Sequence, residues 1–186
     1  MSNVDFALYT DIPHGLNDPD TLQRIEAFAQ WLRVQPEVDH AVTITDTFKR
    51  LNKNMHADDE TYYRLPDDRE LAAQYLLLYE MSLPYGLDLN NQLNIDKSAT
   101  RLFVTMKNLG SKEFTQFDRR AHQWIADNAP ALRITSGSPN IMFAYVGEDN
   151  MDSMIRGTII ALIVISALLV LALRSWRMGA ISLLPN

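Results

Sequence analysis

The stretch GTIIALIVISALLVLAL, residues 157–173, contains 17 consecutive residues without a charge. As an α-helix it spans about 25 Å, and neighbouring uncharged residues on both sides extend this length to the ~30 Å of a bilayer core. A buried helix of a soluble protein seldom continues so far without one strongly polar side chain. The stretch therefore predicts a membrane-spanning helix from about residue 155 to Arg174, which includes Gly157, Ala161 and Leu173.

The basic residues at the two ends of this helix predict its orientation. Arg174 and Arg177 follow the apolar stretch, whereas Arg156 precedes it beside three acidic residues between positions 148 and 152. Because basic residues are enriched on the cytoplasmic side of membranes, the carboxyl end should be cytoplasmic and residues 1 to about 154 external. Residues 175–178 fit a cytoplasmic link and 179–186 the start of another spanning helix. We therefore expect an excerpt of a multi-pass protein.

The charge and the cysteine content limit the possible functions. Residues 1–150 carry 22 acidic and 14 basic residues, a net charge of −8, so nucleic acid is not an expected partner. The chain has no cysteine, which excludes disulfides, thiolate metal sites and cysteine nucleophiles and leaves the redox compartment open. The first residues show no targeting signal.

Hydrophobic periodicity predicts two β-α-β units in the external part, residues 1–137. Such a pair is typical of an α+β fold of the ferredoxin-like, split β-α-β type, with an antiparallel sheet and two helices on one face. In the first unit we predict a strand with Val4, Phe6 and Leu8 inward, a helix from Asp18 and Pro19 with Leu22, Ile25, Phe28, Ala29 and Leu32 on one face, and a strand at 40–44. In the second we predict a strand with Thr100, Leu102, Val104 and Met106, a helix capped by Ser111 with Phe114, Phe117, Ala121, Trp124 and Ile125 on one face, and a strand at Leu132 and Ile134.

A helical insertion, residues 46–82, separates the two units. It contains a short helix at 46–55, a polar loop around Asp58, Asp59 and Glu60, and a helix at 67–82. The last helix is apolar around most of its circumference, which a helix covering one face of a small domain does not need. It is either a docking and coupling surface for another part of the same protein or another subunit, or a helix enclosed in a larger core. The residues concerned are Leu71, Tyr75, Leu76, Leu77, Leu78 and Tyr79.

A long helix should connect the external part to the membrane, over residues 138–174. Ser138 and Pro139 form a helix start, and only Gly147 and Gly157 interrupt the helix-forming residues, at a cost of about 1 kcal/mol each. We expect the helix to begin near Ile141 and to enter the bilayer without a hinge. Such a helix would couple motions of the external part to the membrane, and the pair Gly157 and Ala161 would allow close approach of another membrane helix.

No motif predicts catalysis, a cofactor or a metal. The four histidines lie in different elements without ligand spacing, and there is no phosphate-binding loop, dinucleotide fingerprint or nucleophile elbow. Residues 88–96 resemble a calcium loop only faintly and are interpreted as a solvated connection. We therefore expect no enzymatic activity, no catalytic, cofactor-binding or metal-binding residues and no cofactor. The histidines are His14, His40, His56 and His122.

Several stretches resemble a known family of membrane transporters. They are FKRLN at 48–52, YRLPD at 63–67, RELAAQYLLLYEMS at 69–82, ALRS at 172–175 and LLPN at 183–186. In these stretches the chain resembles predicted exporters of the resistance-nodulation-division (RND) superfamily, in the hydrophobe-amphiphile efflux branch near the mycobacterial membrane protein large (MMPL) transporters. The resemblance runs in register over most of the chain.

The resemblance implies the first periplasmic porter domain, the second spanning helix and the start of the third helix of an exporter in the bacterial inner membrane. Such proteins export lipids or other hydrophobic molecules with the energy of the proton gradient. Their proton-carrying acidic residues lie in a later helix, and residues 157–173 contain none. The implied partners are membrane lipids, the remaining spanning helices and a second porter domain, and an oligomer is possible.

Two other functions fit the same sequence. The first is a single-pass sensor or anchor, in which the external domain binds a ligand or partner and the helix is a tether. The second is an accessory subunit of the protein-export machinery, which shares the broader superfamily plan and handles polypeptide. Flanking coding sequence that continues into further hydrophobic helices would favour a transporter over the sensor, and lipid binding by the porter domain would favour lipid export over polypeptide export.

Overall fold

The fold is mixed α+β, as the sequence predicts. A computed structural model describes residues 2–84 and 89–173, and the chain divides into two compact units, Met1–Met142 and Phe143–Asn186. In the described residues there are four strands, all paired antiparallel, and five α-helices. The elements are β1 (Ser2–Tyr9), α1 (Pro19–Arg33), β2 (Val38–Val42), α2 (Ile44–Met55), α3 (Arg69–Ser82), β3 (Ala99–Met106), α4 (Ser111–Asn128), β4 (Arg133–Gly137) and α5 (Pro139–Leu173).

The sheet has the order β2-β3-β1-β4, so the two eight-residue strands form its centre. Val4 pairs with Val104 and Phe6 with Leu102, and all four side chains are fully buried. These residues alternate with polar or half-buried ones, because successive side chains of a strand point to opposite faces. The predicted alternation is therefore confirmed, and one face of the sheet carries the core.

Helices α1 and α4 cover the same face of the sheet. The ring of Phe6 lies 5.8 Å from that of Phe28 on α1 and 6.2 Å from that of Phe117 on α4, measured between centroids. All three rings are buried, so one strand residue joins both helices to the sheet. The apolar faces predicted for these helices are buried, apart from Trp124, which is half-buried.

Helix caps correct two predicted boundaries. The strand predicted at 40–44 is β2, which ends at Val42, because Thr43 caps α2 and accepts a hydrogen bond from the Thr45 N–H at 3.1 Å. The Asp46 carboxylate accepts from the Thr43 N–H in return. For α4, the predicted cap Ser111 is wrong. Gly110 is the cap, and its N–H donates to the Glu113 carboxylate at 2.8 Å.

The insertion contains the two predicted helices, α2 and α3, which are joined by a buried polar contact. The Tyr75 hydroxyl donates to the Asn52 side-chain oxygen at 2.9 Å, and the Asn52 amide donates to the Arg64 carbonyl at 3.0 Å. Asn52 is 3% exposed, so both bonds lie where water does not compete. They fix α3 and the segment around Arg64 to α2.

The stretch interpreted as a solvated connection, 88–96, is more ordered than expected. Residue 88 lies outside the described residues, but Leu89 begins a 3₁₀ turn and is buried. Leu93 is also buried and forms a bridge with Thr100, and the Asn94 side-chain oxygen accepts from the N–H groups of Ser98 and Ala99. Two apolar side chains therefore attach this connection to β3.

Helix α5 begins as predicted and is the longest element. It runs from Pro139 to Leu173 through both glycines, and the Ser138 carbonyl accepts from the Met142 N–H at 3.0 Å. At 1.5 Å per residue its 35 residues measure about 52 Å, well above the ~30 Å of a bilayer core. Arg174, the predicted link at 175–178 and the predicted helix start at 179–186 lie outside the described residues.

Candidate functional site

Most of the described apolar side chains in the second half of α5 are exposed. The segment Pro139–Leu168 is long and apolar enough to cross a membrane, and its most apolar 18-residue window has a mean hydropathy of 1.7 and contains no buried residue. Between Ile159 and Leu171, seven described large apolar side chains are at least half exposed, and covering them with hydrocarbon would gain on the order of 10 kcal/mol. They are Ile159, Ile160, Ile163, Val164, Ile165, Leu168 and Leu171.

The predicted small-residue pair lies on this exposed surface. A methyl group added at Gly157 would meet no other atom within 4 Å, and Ala161 is also exposed. The pair therefore leaves room for close approach of another helix. Leu173 is the last residue of α5.

The predicted docking helix, α3, has a buried and an exposed side. Tyr75 and Leu76 are core residues, 4% and 1% exposed, whereas Leu77 and Leu78 are 54% and 48% exposed. One turn further, Met81 is 77% exposed. We call Leu77, Leu78 and Met81 the outer α3 face.

The sequence left open whether α3 is a docking surface or a helix enclosed in a core, and this division answers part of that question. Leu71 and Tyr79 are half-buried, so α3 is neither enclosed on all sides nor free on all sides. The helix is apolar almost all round because both the side that packs onto the domain and the side that is exposed carry apolar residues. Of the six predicted residues, Leu77 and Leu78 are the ones accessible to a partner.

A polar cleft of about 500 Å³ lies between α1, α2 and the segment at 63–67. Its α1 wall presents Gln23, Glu26 and Gln30, and its opposite wall presents Tyr63 and the ion pair of Arg64 with Asp67. Lys49 of α2 and Leu65 complete the lining. The sequence did not predict a site at these residues, although 23, 26 and 30 share one face of a helix.

Ionic contacts between α1 and α2 form the floor of the cleft. Lys49 Nζ lies 2.8 Å from Glu26 Oε1 and 3.2 Å from Asp46 Oδ1, and Thr45 Oγ1 donates to Glu26 Oε2 at 2.5 Å. Burial lowers the pKa of Lys49, but its hydrogen bonds and charge interactions with Glu26 and Asp46 outweigh burial and raise that pKa above its ordinary value. Lys49 is therefore positive at any physiological pH.

The four histidines remain apart in the structure. His40 is exposed on β2, His14 has a left-handed backbone with φ of 57°, and the ring of His56 stacks on Tyr62 at 3.7 Å between centroids. Within residues 2–84 and 89–173, no three or more histidine or acidic side chains lie in an arrangement that could hold a metal ion.

His122 has a specific acidic neighbour. Its Nδ1 lies 3.4 Å from the carboxylate of Asp118, one turn earlier on α4, and Asp118 also accepts a hydrogen bond from Ser136 of β4. The Asp118 carboxylate, 5% exposed as a residue, raises the pKa of His122 above its ordinary value against the opposing effect of burial. His122 therefore gains protons in the folded state at a higher pH than in the unfolded chain.

These elements define a class: an α+β domain joined to an apolar helix long enough to cross a membrane. Compared with known proteins, the chain matches no family model, and no curated protein matches it. Any family assignment therefore depends on the resemblance of the sequence stretches quoted above to a known family.

The two sides of α3 should respond differently to an added charge. We expect Leu76→Glu to lower the free energy of unfolding by more than about 3 kcal/mol, because it places a carboxylate in the core. Leu77→Glu should change it by less than about 1 kcal/mol, because residue 77 is in contact with solvent. Urea denaturation of both variants in detergent measures the difference. Equal destabilisation would show that both residues are core.

The raised pKa of His122 gives a pH dependence with a defined sign. Its stabilising effect should be complete below about pH 6.5, the ordinary histidine pKa, and should disappear as the pH rises through the folded-state pKa. In an NMR titration of the histidine rings, Asp118→Asn should lower the pKa of His122. Asp127→Asn, at an exposed site on the same helix, is the control. A His122 pKa unaffected by Asp118→Asn would contradict this cause.

Proposed function

We propose that the chain is part of a proton-driven membrane exporter of lipids or other hydrophobic molecules, in the MMPL-like branch of the RND superfamily. The observation that carries the proposal is α5, whose apolar segment is exposed and long enough to cross a bilayer. The quoted stretches, among them RELAAQYLLLYEMS at 69–82, supply the choice of family. In this proposal residues 1–137 are the first periplasmic porter domain and α5 contains the second spanning helix of a protein in the bacterial inner membrane.

The topology of the sheet supports this domain assignment. The antiparallel order β2-β3-β1-β4, with α1 and α4 on one face, is the arrangement expected of a ferredoxin-like pair of β-α-β units. In the proposal, α2 and α3 form an insertion specific to the porter domain.

The role proposed for this part of the exporter is to shape the substrate path and to transmit motion, without catalysis. The outer α3 face is the proposed docking surface for the second porter domain or another subunit, because its three side chains are apolar and exposed. Gly157 and Ala161 are the proposed contact with the remaining spanning helices. The acidic residues that carry protons would belong to a later helix of the full-length protein.

Loss of export in the host organism tests this function. Cells without the gene should retain a lipid or other hydrophobic compound that wild-type cells deliver to their surface, and the wild-type gene should restore delivery. Leu77→Glu in the full-length protein should reduce delivery at least about tenfold, because a charge would have to be buried at the docking surface. The exposed lipids of each strain are compared by mass spectrometry.

A matched control separates docking from general damage. Ile95→Glu makes the same change at a side chain that is 89% exposed, and it should restore delivery fully. An unchanged set of surface lipids in cells without the gene would refute lipid export. Normal delivery by Leu77→Glu would refute only the docking surface.

A further inference from the structure

The cleft between α1 and α2 has walls that are fixed before any ligand binds. Its outer wall, residues 63–67, is attached to α2 because the Arg64 carbonyl accepts from the buried Asn52 amide. Pro66 in the same segment is buried, and Leu65 is half-buried. A ligand would therefore lose little binding free energy to the ordering of these walls.

The floor of the cleft is already saturated with partners. The Glu26 carboxylate accepts from Lys49, Gln30 and Thr45, and it is only 12% exposed. Lys49 contacts two carboxylates and lies 5.5 Å from the centre of the Tyr63 ring. A ligand would have to break several partly buried ionic contacts to bind Glu26 or Lys49. These two side chains therefore stabilise the cleft and do not bind the ligand.

The accessible charges belong to the ion pair of Arg64 and Asp67. Both guanidinium nitrogens of Arg64 contact the Asp67 carboxylate, at 3.1 and 3.0 Å, and the two side chains are 54% and 71% exposed. An ion pair this exposed contributes at most about 1 kcal/mol, so a ligand can separate it at low cost. Tyr63, which is 42% exposed, also lines the cleft.

We propose that this cleft binds a zwitterionic group, an ammonium joined by a short linker to a phosphate or carboxylate. The anionic end accepts from the guanidinium of Arg64, and the ammonium binds the Asp67 carboxylate released from Arg64. A lone anion or a lone cation makes only one of these two charged contacts. A zwitterion replaces both halves of the ion pair.

Phosphoethanolamine is the probe that tests this assignment. Titrated into the isotopically labelled full chain in a non-ionic detergent, it should shift the NMR signals of Gln23, Tyr63 and Asp67. It should bind at least about tenfold more tightly than inorganic phosphate or ethanolamine alone, each of which makes only one of the two charged contacts. Equal affinity for phosphate would overturn the proposal in favour of a simple anion site, and no saturable shift would overturn it altogether.

The second exposed bidentate ion pair, on the sheet, provides a matched control. Arg101 contacts Asp5 through two bonds of 2.8 and 2.9 Å and is 44% exposed. Arg64→Gln should weaken phosphoethanolamine binding about tenfold, whereas Arg101→Gln should leave it unchanged. Both variants should keep the wild-type Tm because neither residue is buried. Equal effects of the two variants, or none, would refute the site.

A zwitterionic group of this kind occurs both in free metabolites and in lipid head groups. A second experiment distinguishes these two sources. Nanodiscs with phosphatidylethanolamine should produce the Arg64-dependent shifts if the ligand is a lipid, and only the free compound should produce them if the ligand is soluble. Both results support the zwitterion site. Because the titration in detergent requires neither membrane insertion of α5 nor transport, its failure would leave the proposed function untouched.

Discussion

The constraint on which the account depends is the exposed apolar surface of α5. An α-helix satisfies its own backbone hydrogen bonds, so this surface can enter hydrocarbon without leaving backbone polar groups unpaired. In water the same side chains would have to be covered by other protein. The core of the α+β domain has no such requirement, since Phe6, Phe28 and Phe117 already fill its inner face. The domain therefore covers its own apolar side chains, whereas those of α5 are left exposed.

Much of the fold was predictable from short-range patterns. The alternation around Val4 and Phe6 marked a central strand, and the spacing of Leu22, Ile25 and Phe28 marked the buried face of α1, because each element buries one side. The long helix followed from composition alone. These features depend on neighbouring residues, which is why the sequence reports them reliably.

The errors have two causes: a capping signal between residues close in the sequence was not recognised, and other contacts join residues that are distant in the sequence. Ile44 looks like a strand residue, but the reciprocal bonds of Thr43 and Asp46 begin a helix there. The 88–96 connection looked solvated because its two leucines are separated by polar residues, yet Leu89 and Leu93 reach the core. The cleft was missed because it joins Gln23 with Arg64, and that proximity depends on a hydrogen bond from the buried Asn52. No local pattern encodes such a contact.

The two sides of α3 illustrate the limit of composition. The sequence shows a helix that is apolar almost all round, and only the structure separates Leu76 in the core from Leu77 at the surface. In the same way, composition identifies a helix that could cross a membrane but does not identify what surrounds it. The proposed docking and export functions therefore depend first on where α5 resides.

The location of α5 can be measured directly because the chain contains no cysteine of its own. Any cysteine outside residues 1–186 is first removed from the full-length protein. Single cysteines are then introduced at Ile163, within the apolar segment, and at the exposed Gln30 on α1, and intact cells with a permeable outer barrier are treated with a membrane-impermeant maleimide. The account predicts rapid labelling of Gln30→Cys and none of Ile163→Cys until detergent is added. Equal labelling at the two positions before detergent, or labelling of Gln30→Cys only after lysis, would contradict it.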